Sequence, residues 1–482
     1  MAFSRSHRAV KIAGVIAAAA LCLALTYESG AIGGLPTRAN ARATAAPARP
    51  PYPGCAWPVD SAAQTDDAAA PDPFTAYWMT PFQAVPGQSL TIRGKFPVSR
   101  FMSFAVYNDS FQLFTNTVNG RRVPSDLSGY QIDPDRGAAN PWRKERAHAR
   151  QRFTIRLLPR ATAAQQRSEN AIPTIDQQPP VIPSGPQGID YVMFRIYLPA
   201  GGDAAVQLPV ITVTRDGRST TLPQCGRGGT AADEDTSLLG TVSVLNGLGD
   251  DGVTMSCTSG CAAPQLRYFG PSADSKAGPF PNPLNAYLEM SFTPRPGYVI
   301  VTHGRAPTSP TKAGRGVPGN SVGTHPVSWT KPAFQVLYWS IANYLDTQPY
   351  PAVEAGKGAQ AGFGATPDYL TRLRRGYYTE VSSLPSDKPS AASLKASLAT
   401  WIPMSAADPR TPEFQLLRNV LSQRASYPKG FAFIAPPANP SDIIPPAAVQ
   451  RHMGAYYPQT AECTVRTFET RGWAGCLAAT RA

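Results

Sequence analysis

The sequence predicts an all-β protein built as two tandem, duplicated β-sandwich units of jelly-roll type, with long Gly/Pro-rich loops and few short helices. Three observations carry this expectation: an internal repeat, a succession of short strand-like runs bounded by turn residues, and 50 prolines with 40 glycines in 482 residues. That many turn formers make irregular connections abundant, and the length exceeds what one core ordinarily serves.

The repeat aligns residues 71–97 with 281–307 without a gap. Nine of 27 positions are identical: Pro71/Pro281, Pro73/Pro283, Ala76/Ala286, Tyr77/Tyr287, Phe82/Phe292, Pro86/Pro296, Gly87/Gly297, Gly94/Gly304 and Pro97/Pro307. Chance at ordinary composition gives about two or three. A repeat of this length means two copies of one supersecondary plan.

In the first copy, runs of aromatic and β-branched residues at 89–93, 101–107, 153–158, 191–198 and 206–214 are bounded by Gly, Pro, Asn or Asp, as strands joined by turns should be. Asp216-Gly217 marks a hairpin. In the second copy 334–343 stands where 100–108 stood, 374–385 where 150–159 stood, and 431–437 where 191–199 stood. Insertions at 308–331 and 386–428 have no clear counterpart, and the second holds a predicted helix over 412–423, with Phe414, Leu416, Leu417 and Val420 on one face.

The chain opens with Arg5, Arg8 and Lys11, then an apolar run over 12–25, which is the secretory pattern and too short for a membrane-spanning helix. The expected organisation is a signal peptide over 1–43, or an uncleaved anchor, a flexible tether over 44–54, a first sandwich over 55–225, a linker over 226–240 and a second sandwich over 241–482. Beyond the leader an even set of six cysteines implies disulfides in an oxidising, extracytoplasmic compartment. Cys55 precedes the first copy and Cys225 closes it, so a Cys55–Cys225 bridge is expected. Local Cys257–Cys261 and Cys463–Cys476 bridges lead for the others, with a link from Cys261 to the C-terminus as the rival.

Several short motifs resemble a family of exported bacterial hypothetical proteins with duplicated jelly-roll-like domains: Cys55-Ala-Trp-Pro58, Arg100-Phe-Met-Ser-Phe-Ala-Val-Tyr-Asn108, His303-Gly-Arg-Ala-Pro307, Tyr338-Trp-Ser-Ile-Ala-Asn343, Tyr377-Tyr-Thr-Glu-Val381 and Met453-Gly-Ala-Tyr-Tyr-Pro458. Ala342 stands where a cysteine is common in that family and Asn419 where a histidine is expected. The resemblance implies fold and location and carries no activity.

Loss of residues 1–43 removes five Lys/Arg and one Glu, which lowers the net charge of +13 to +9. Arg143, Lys144, Arg146, Arg150, Arg152, Arg156 and Arg160 fall within 18 residues. No nucleic-acid fold motif accompanies them, so the expected partners are anionic envelope components or glycan, with a membrane contacted only through the N-terminal segment if that is uncleaved. A solvated basic loop explains the same cluster.

Gly319-Asn-Ser-Val-Gly323 matches G-x-S-x-G, with Ser321 as nucleophile and His325 nearby, but Gly/Pro-rich loop flanks it where a strand and a helix are required. His303, His325 and His452 are candidate metal ligands gathered from distant strands, without an H-x-H pair to support them. Tyr77, Trp78, Tyr107 and Trp339, with Asn108 and Asn343 at equivalent strand ends, are candidate stacking and polar contacts for a ligand, against a core role for each ring. No cofactor motif is present. The expected function is an exported binding or structural protein for an anionic, glycan or apolar ligand, and the alternative is an extracytoplasmic hydrolase or metal-dependent jelly-roll enzyme with its site in the second unit.

Overall fold

In the first copy, β1 (Val59–Ala62), β2 (Thr75–Phe82), β3 (Gln88–Lys95), β4 (Phe101–Tyr107), a β5 (Thr115–Val118) and β6 (Arg121–Pro124) hairpin, β7 (Asp126–Ser128) and β8 (Arg152–Leu158) lead to helix α1 (Ala163–Glu169). There follow β9 (Ala171–Pro173), β10 (Asp190–Tyr197), β11 (Val210–Arg215) and β12 (Arg218–Thr221). The second copy holds β13 (Asn285–Phe292), β14 (Tyr298–Arg305), β15 (Tyr338–Leu345), β16 (Ala365–Pro367), β17 (Leu373–Arg374), β18 (Tyr377–Ser383), α2 (Ala391–Ala396), β19 (Thr400–Pro403) and β20 (Glu413–Val420). It ends with α3 (Pro446–Met453), β21 (Gln459–Thr464) and α4 (Val465–Arg481). These come from a computed structural model that describes residues 54–482 apart from 63–69, 109–110, 144–149, 177–189, 226–265, 271–279, 311–333, 348–349, 354–363, 407–410, 440–441 and 482.

The two copies share a core topology of eight strands, in which β2, β10, β4 and β7 match β13, β20, β15 and β16, and β11, β3, β8 and β9 match β21, β14, β18 and β19. In the first, an inner sheet runs β1-β2-β10-β4-β7 and an outer sheet β12-β11-β3-β8-β9. In the second, the inner sheet runs β13-β20-β15-β16, and the outer sheet runs β17-β18-β14-β21 with β19 beside β18. Among the described residues all pairings between these strands are antiparallel except two, and those two are equivalent: β9 lies parallel to β8 and β19 parallel to β18, each after a short helix. The repeated glycines have physical causes. Gly87 and Gly297 both sit at φ +79° in the turn before the outer strand, and a Cβ at Gly94 would lie 2.7 Å from the ring of Phe153, one at Gly304 2.8 Å from the hydroxyl of Tyr378, each on the neighbouring strand.

Three expectations need correction. Residues 413–420 form β20, not a helix, and every one is buried. Both faces of the inner sheet are covered, so the strand's period-two alternation vanishes and the apolar positions mimic a helical face. Consequently β20, not 431–437, is the counterpart of β10, and Phe431–Phe433 is a single 3₁₀ turn. The segment 386–428 is therefore no insertion without a counterpart, because α2, β19 and β20 match α1, β9 and β10.

The first core packs Trp78, Ile92, Phe104, Ile155, Phe194 and Ile211 between its sheets, with Phe104 and Phe194 stacked at 4.6 Å. The other face of its inner sheet meets the inner sheet of the second copy through Phe74, Phe101, Tyr197, Leu337, Tyr338, Tyr369 and Val420. Charges are buried in that junction. Arg100 reaches Asp368 at 2.8 Å, Arg418 reaches Asp72 at 2.9 Å, and the hydroxyls of Tyr338 and Ser340 donate to the Asp72 carboxylate at 3.0 and 2.8 Å. All described residues belong to one compact unit, Pro50–Ala482.

Cys55–Cys225 and Cys463–Cys476 are disulfides, as expected for an oxidising, extracytoplasmic compartment. The first closes the first sandwich and the second ties β21 to α4. Cys257 and Cys261 lie outside the described residues. No described helix is long and apolar enough to cross a membrane.

Candidate anion pocket

The copies differ most on the outer sheet's exposed face. In the first that face carries Thr91, Arg93, Lys95, Arg152 and Thr154, all partly or fully exposed. In the second the same face holds Val299, Val301 and Val381 where the first has Ser89, Thr91 and Arg156, and α4 covers them with Phe468 and Cys476. An apolar stripe removed from water in this way stabilises the helix by packing rather than by helix propensity.

The cover is incomplete at one end, where a cavity of 610 Å³ opens between β14, β17, β18, α2 and α4. Its floor is an aromatic stack, with the His303 ring lying between Tyr377 at 5.6 Å and Trp473 at 5.0 Å, both nearly parallel to it. Gly472 makes this possible. At φ +59° and ψ −160° it breaks α4, and Trp473 begins a new helical run turned toward His303. His303 Nδ1 shares a 3.0 Å hydrogen bond with the Thr379 hydroxyl, and burial pushes the imidazole below the usual histidine value, only partly offset by a backbone hydrogen bond at Tyr378. The ring is therefore neutral near pH 7.

Three arginines surround the stack: Arg374, Arg375 and Arg471. Arg375 sits at φ +53° beside Gly376 at φ +82° in the two-residue turn joining β17 to β18, which projects this pair of arginines at the rim. All three are exposed, and among the described residues none of their side chains has an ion pair or hydrogen bond. The one carboxylate lining the cavity, Glu469, accepts a 2.8 Å hydrogen bond from the Ser390 backbone N–H at the start of α2. The site is thus a cationic cavity with an aromatic floor and hydroxyls at Ser397 and Thr470.

Of the sequence candidates, only His303 lines this cavity. His452 lies on α3, where its Nε2 donates to the Gly430 carbonyl at 3.1 Å, and Ser321 and His325 lie outside the described residues. No group of three metal-ligating side chains occurs among the described residues. Trp78 and Trp339 are in the two cores, 1% exposed each. Tyr107 is fully buried at the junction, where its hydroxyl meets the Pro281 carbonyl at 3.0 Å and the Arg195 guanidinium at 3.1 Å, and Tyr77 lies 5.4 Å beneath that guanidinium. Asn108 donates to Asp176 at 3.0 Å. Asn343 is not its counterpart, because Tyr338 opposite Val420 matches Phe101 opposite Tyr197, which sets Asn343 against Val106.

Asn343 belongs instead to a polar cluster inside the second sandwich. Gln415 donates to Asn343 at 2.8 Å and to Ser382 at 3.2 Å, and accepts from Thr302 at 3.1 Å and from Tyr268. Glu380 is fully buried beside them, neither carboxylate oxygen has a hydrogen-bond partner of normal geometry, and burial holds its carboxyl well above the ordinary range.

Arg374 and Arg375 were legible only as the start of the strand-like segment 374–385, and Arg471 and Trp473 not at all. The available signal was Gly472 next to Trp473 in an otherwise helical C-terminal run.

No family model and no curated protein matches the chain. Among solved structures, it is similar to an uncharacterised protein from Burkholderia cenocepacia, with 11% identity over 84% of this chain and 80% of that one at a TM-score of 0.42. It is also similar to the VPA0106 protein from Vibrio parahaemolyticus, with 10% identity over 79% and 91% of the two chains at a TM-score of 0.34.

Proposed function

We propose that this is an exported binding protein, delivered by its N-terminal leader and related to the exported bacterial proteins its motifs resemble, whose cavity under α4 takes a small anionic ligand. The observation that carries the reading is the set of three arginines without ion-pair partners around a floor of stacked aromatic rings. A guanidinium presents a planar donor fork that matches a carboxylate or phosphate, and the partly apolar floor suits the body of a sugar or other ring. Because His303 is neutral, the arginines supply the positive charge and the imidazole supplies a hydrogen bond.

Calorimetric titration with galacturonate, glucose 6-phosphate and glucose tests this directly. The acidic sugars are expected to bind, glucose to bind at least tenfold more weakly, and Arg374→Ala with Arg471→Ala to weaken the acidic ligands by a similar factor. Equal binding of glucose, or binding that the double substitution leaves intact, overturns the reading.

A further inference from the structure

The outer sheet of the first sandwich carries a cationic locus at the place where the second carries its pocket. The gapless repeat sets Arg93 on His303 and Lys95 on Arg305, and the shared register sets Arg152 on Tyr377. In the first copy nothing among the described residues plays the part of α4, so this end of the sheet is open. Lys95 and Arg152 are direct cross-strand partners on the exposed face, with Arg93 one step along the same strand.

Like charges directly opposite on a sheet are mutually destabilising. Among the described residues the side chains of Arg93, Lys95 and Arg152 have no ion pair or hydrogen bond, whereas Arg156 on the same face is neutralised by Glu169. Such an arrangement opposes folding and fits a partner that neutralises the charges. The adjoining rows are hydroxyl-bearing: Thr91 stands between Thr212 and Arg156, and Thr154 faces Arg93.

We propose that this face is a docking surface for an acidic polysaccharide, which lies across the strands with its acid groups on Arg93, Lys95 and Arg152 and its hydroxyls against the threonines. Charge complementarity selects a polyanion. The composition of the face selects among polyanions: among the described residues it has no aromatic ring on which a nucleic-acid base would stack, and Val210 is its one exposed large apolar side chain, too little for insertion into a lipid interface. The inference does not depend on the pocket under α4. Together, though, the two loci would let a single protein hold a polymer at one and a small acidic group at the other.

The test compares the purified mature chain with the triple variant Arg93→Gln, Lys95→Gln, Arg152→Gln. Binding is measured to polygalacturonate, neutral dextran, vesicles of phosphatidylcholine and phosphatidylglycerol, and an oligo-dT strand, at several salt concentrations. Polygalacturonate is expected to bind best, and the variant to lose at least tenfold in affinity with a flatter dependence on salt. Its thermal midpoint is expected to be unchanged or higher, and its binding of galacturonate monomer unchanged. The proposal is overturned if the variant binds polygalacturonate like the parent, if dextran, vesicles or oligo-dT bind as well as polygalacturonate, or if only substitutions in the pocket under α4 abolish polymer binding.

Discussion

Glu380 occupies in the second sandwich the place that Ile155 occupies in the first: each stands opposite the repeat-equivalent residue of the neighbouring strand, Thr302 and Ile92. Around it the same exchange recurs, with Gln415 for Val192 and Asn343 for Val106. At these positions one fold thus holds aliphatic side chains in one copy and a polar cluster in the other.

Burial raises the Glu380 carboxyl well above its ordinary value, so the native state holds a proton that the unfolded chain releases above about pH 4.5. Its contribution is therefore fully present at pH 4 and is lost as pH rises toward the folded value. Glu413, pushed up to about 8 by burial and only partly offset by the Ser405 backbone N–H, acts in the same direction. The isosteric Glu380→Gln change is expected to leave stability near that of the parent at pH 4 and to raise it by about 1–3 kcal/mol at pH 8. Urea unfolding at the two pH values measures this, and a variant less stable than the parent at pH 8 would refute it.

Asp72 anchors the junction between the sandwiches. Its carboxylate is wholly buried, lies 2.9 Å from Arg418 and accepts from Tyr338 and Ser340. The Arg418 contact is ionic rather than a well-aligned hydrogen bond, because that nitrogen has no acceptor in line. Asp72→Ala leaves a buried guanidinium without its counter-charge and is expected to cost about 3–5 kcal/mol in chemical denaturation. Asp72→Asn, which keeps an acceptor for the two hydroxyls, should cost less. Equal losses in the two variants would mean that charge alone holds the junction.

The sequence made the duplicated all-β plan legible because the turn glycines and prolines must sit where the backbone turns or strands approach closely. Gly87, Gly94 and their partners are such positions. It concealed β20, because a strand covered on both faces loses its alternation, and Phe414, Leu416, Leu417 and Val420 then imitate a helix. The cavity was hidden for another reason. It is made by arginines at a two-residue turn and a tryptophan some hundred residues later, brought together only when α4 folds onto the sheet. His303 was visible as one of few histidines, but its stacking partners are a matter of tertiary packing.

The two disulfides close loops of different size, spanning 170 and 13 residues. In the chain-entropy account, opening the longer one removes about 5 kcal/mol and the shorter about 3 kcal/mol. Cys55→Ser with Cys225→Ser is therefore expected to lower the unfolding midpoint more than Cys463→Ser with Cys476→Ser. The second pair should loosen α4 from β21 and so weaken ligand binding in the cavity, an effect the first pair should lack. The reverse order of stability loss, or an unchanged cavity affinity in the second variant, would count against this division of labour.

His303 reports on the cavity through its own titration. Burial between Tyr377 and Trp473 lowers its proton affinity below the ordinary value of 6.5, so the unfolded chain takes up the proton first as pH falls. The resulting stability is present above about pH 6.5 and declines as pH drops toward the folded value. An anion seated among Arg374, Arg375 and Arg471 stabilises the protonated ring and must shift its midpoint upward. By reciprocity the anion then binds more tightly as the solution is acidified through that midpoint. Imidazole resonances followed by NMR should show a midpoint below 6.5 in the free protein and a higher one with galacturonate. Trp473→Leu, which opens one side of the ring to water, should move the free midpoint back toward 6.5. A midpoint that ignores the added anion would place the ligand elsewhere on the protein.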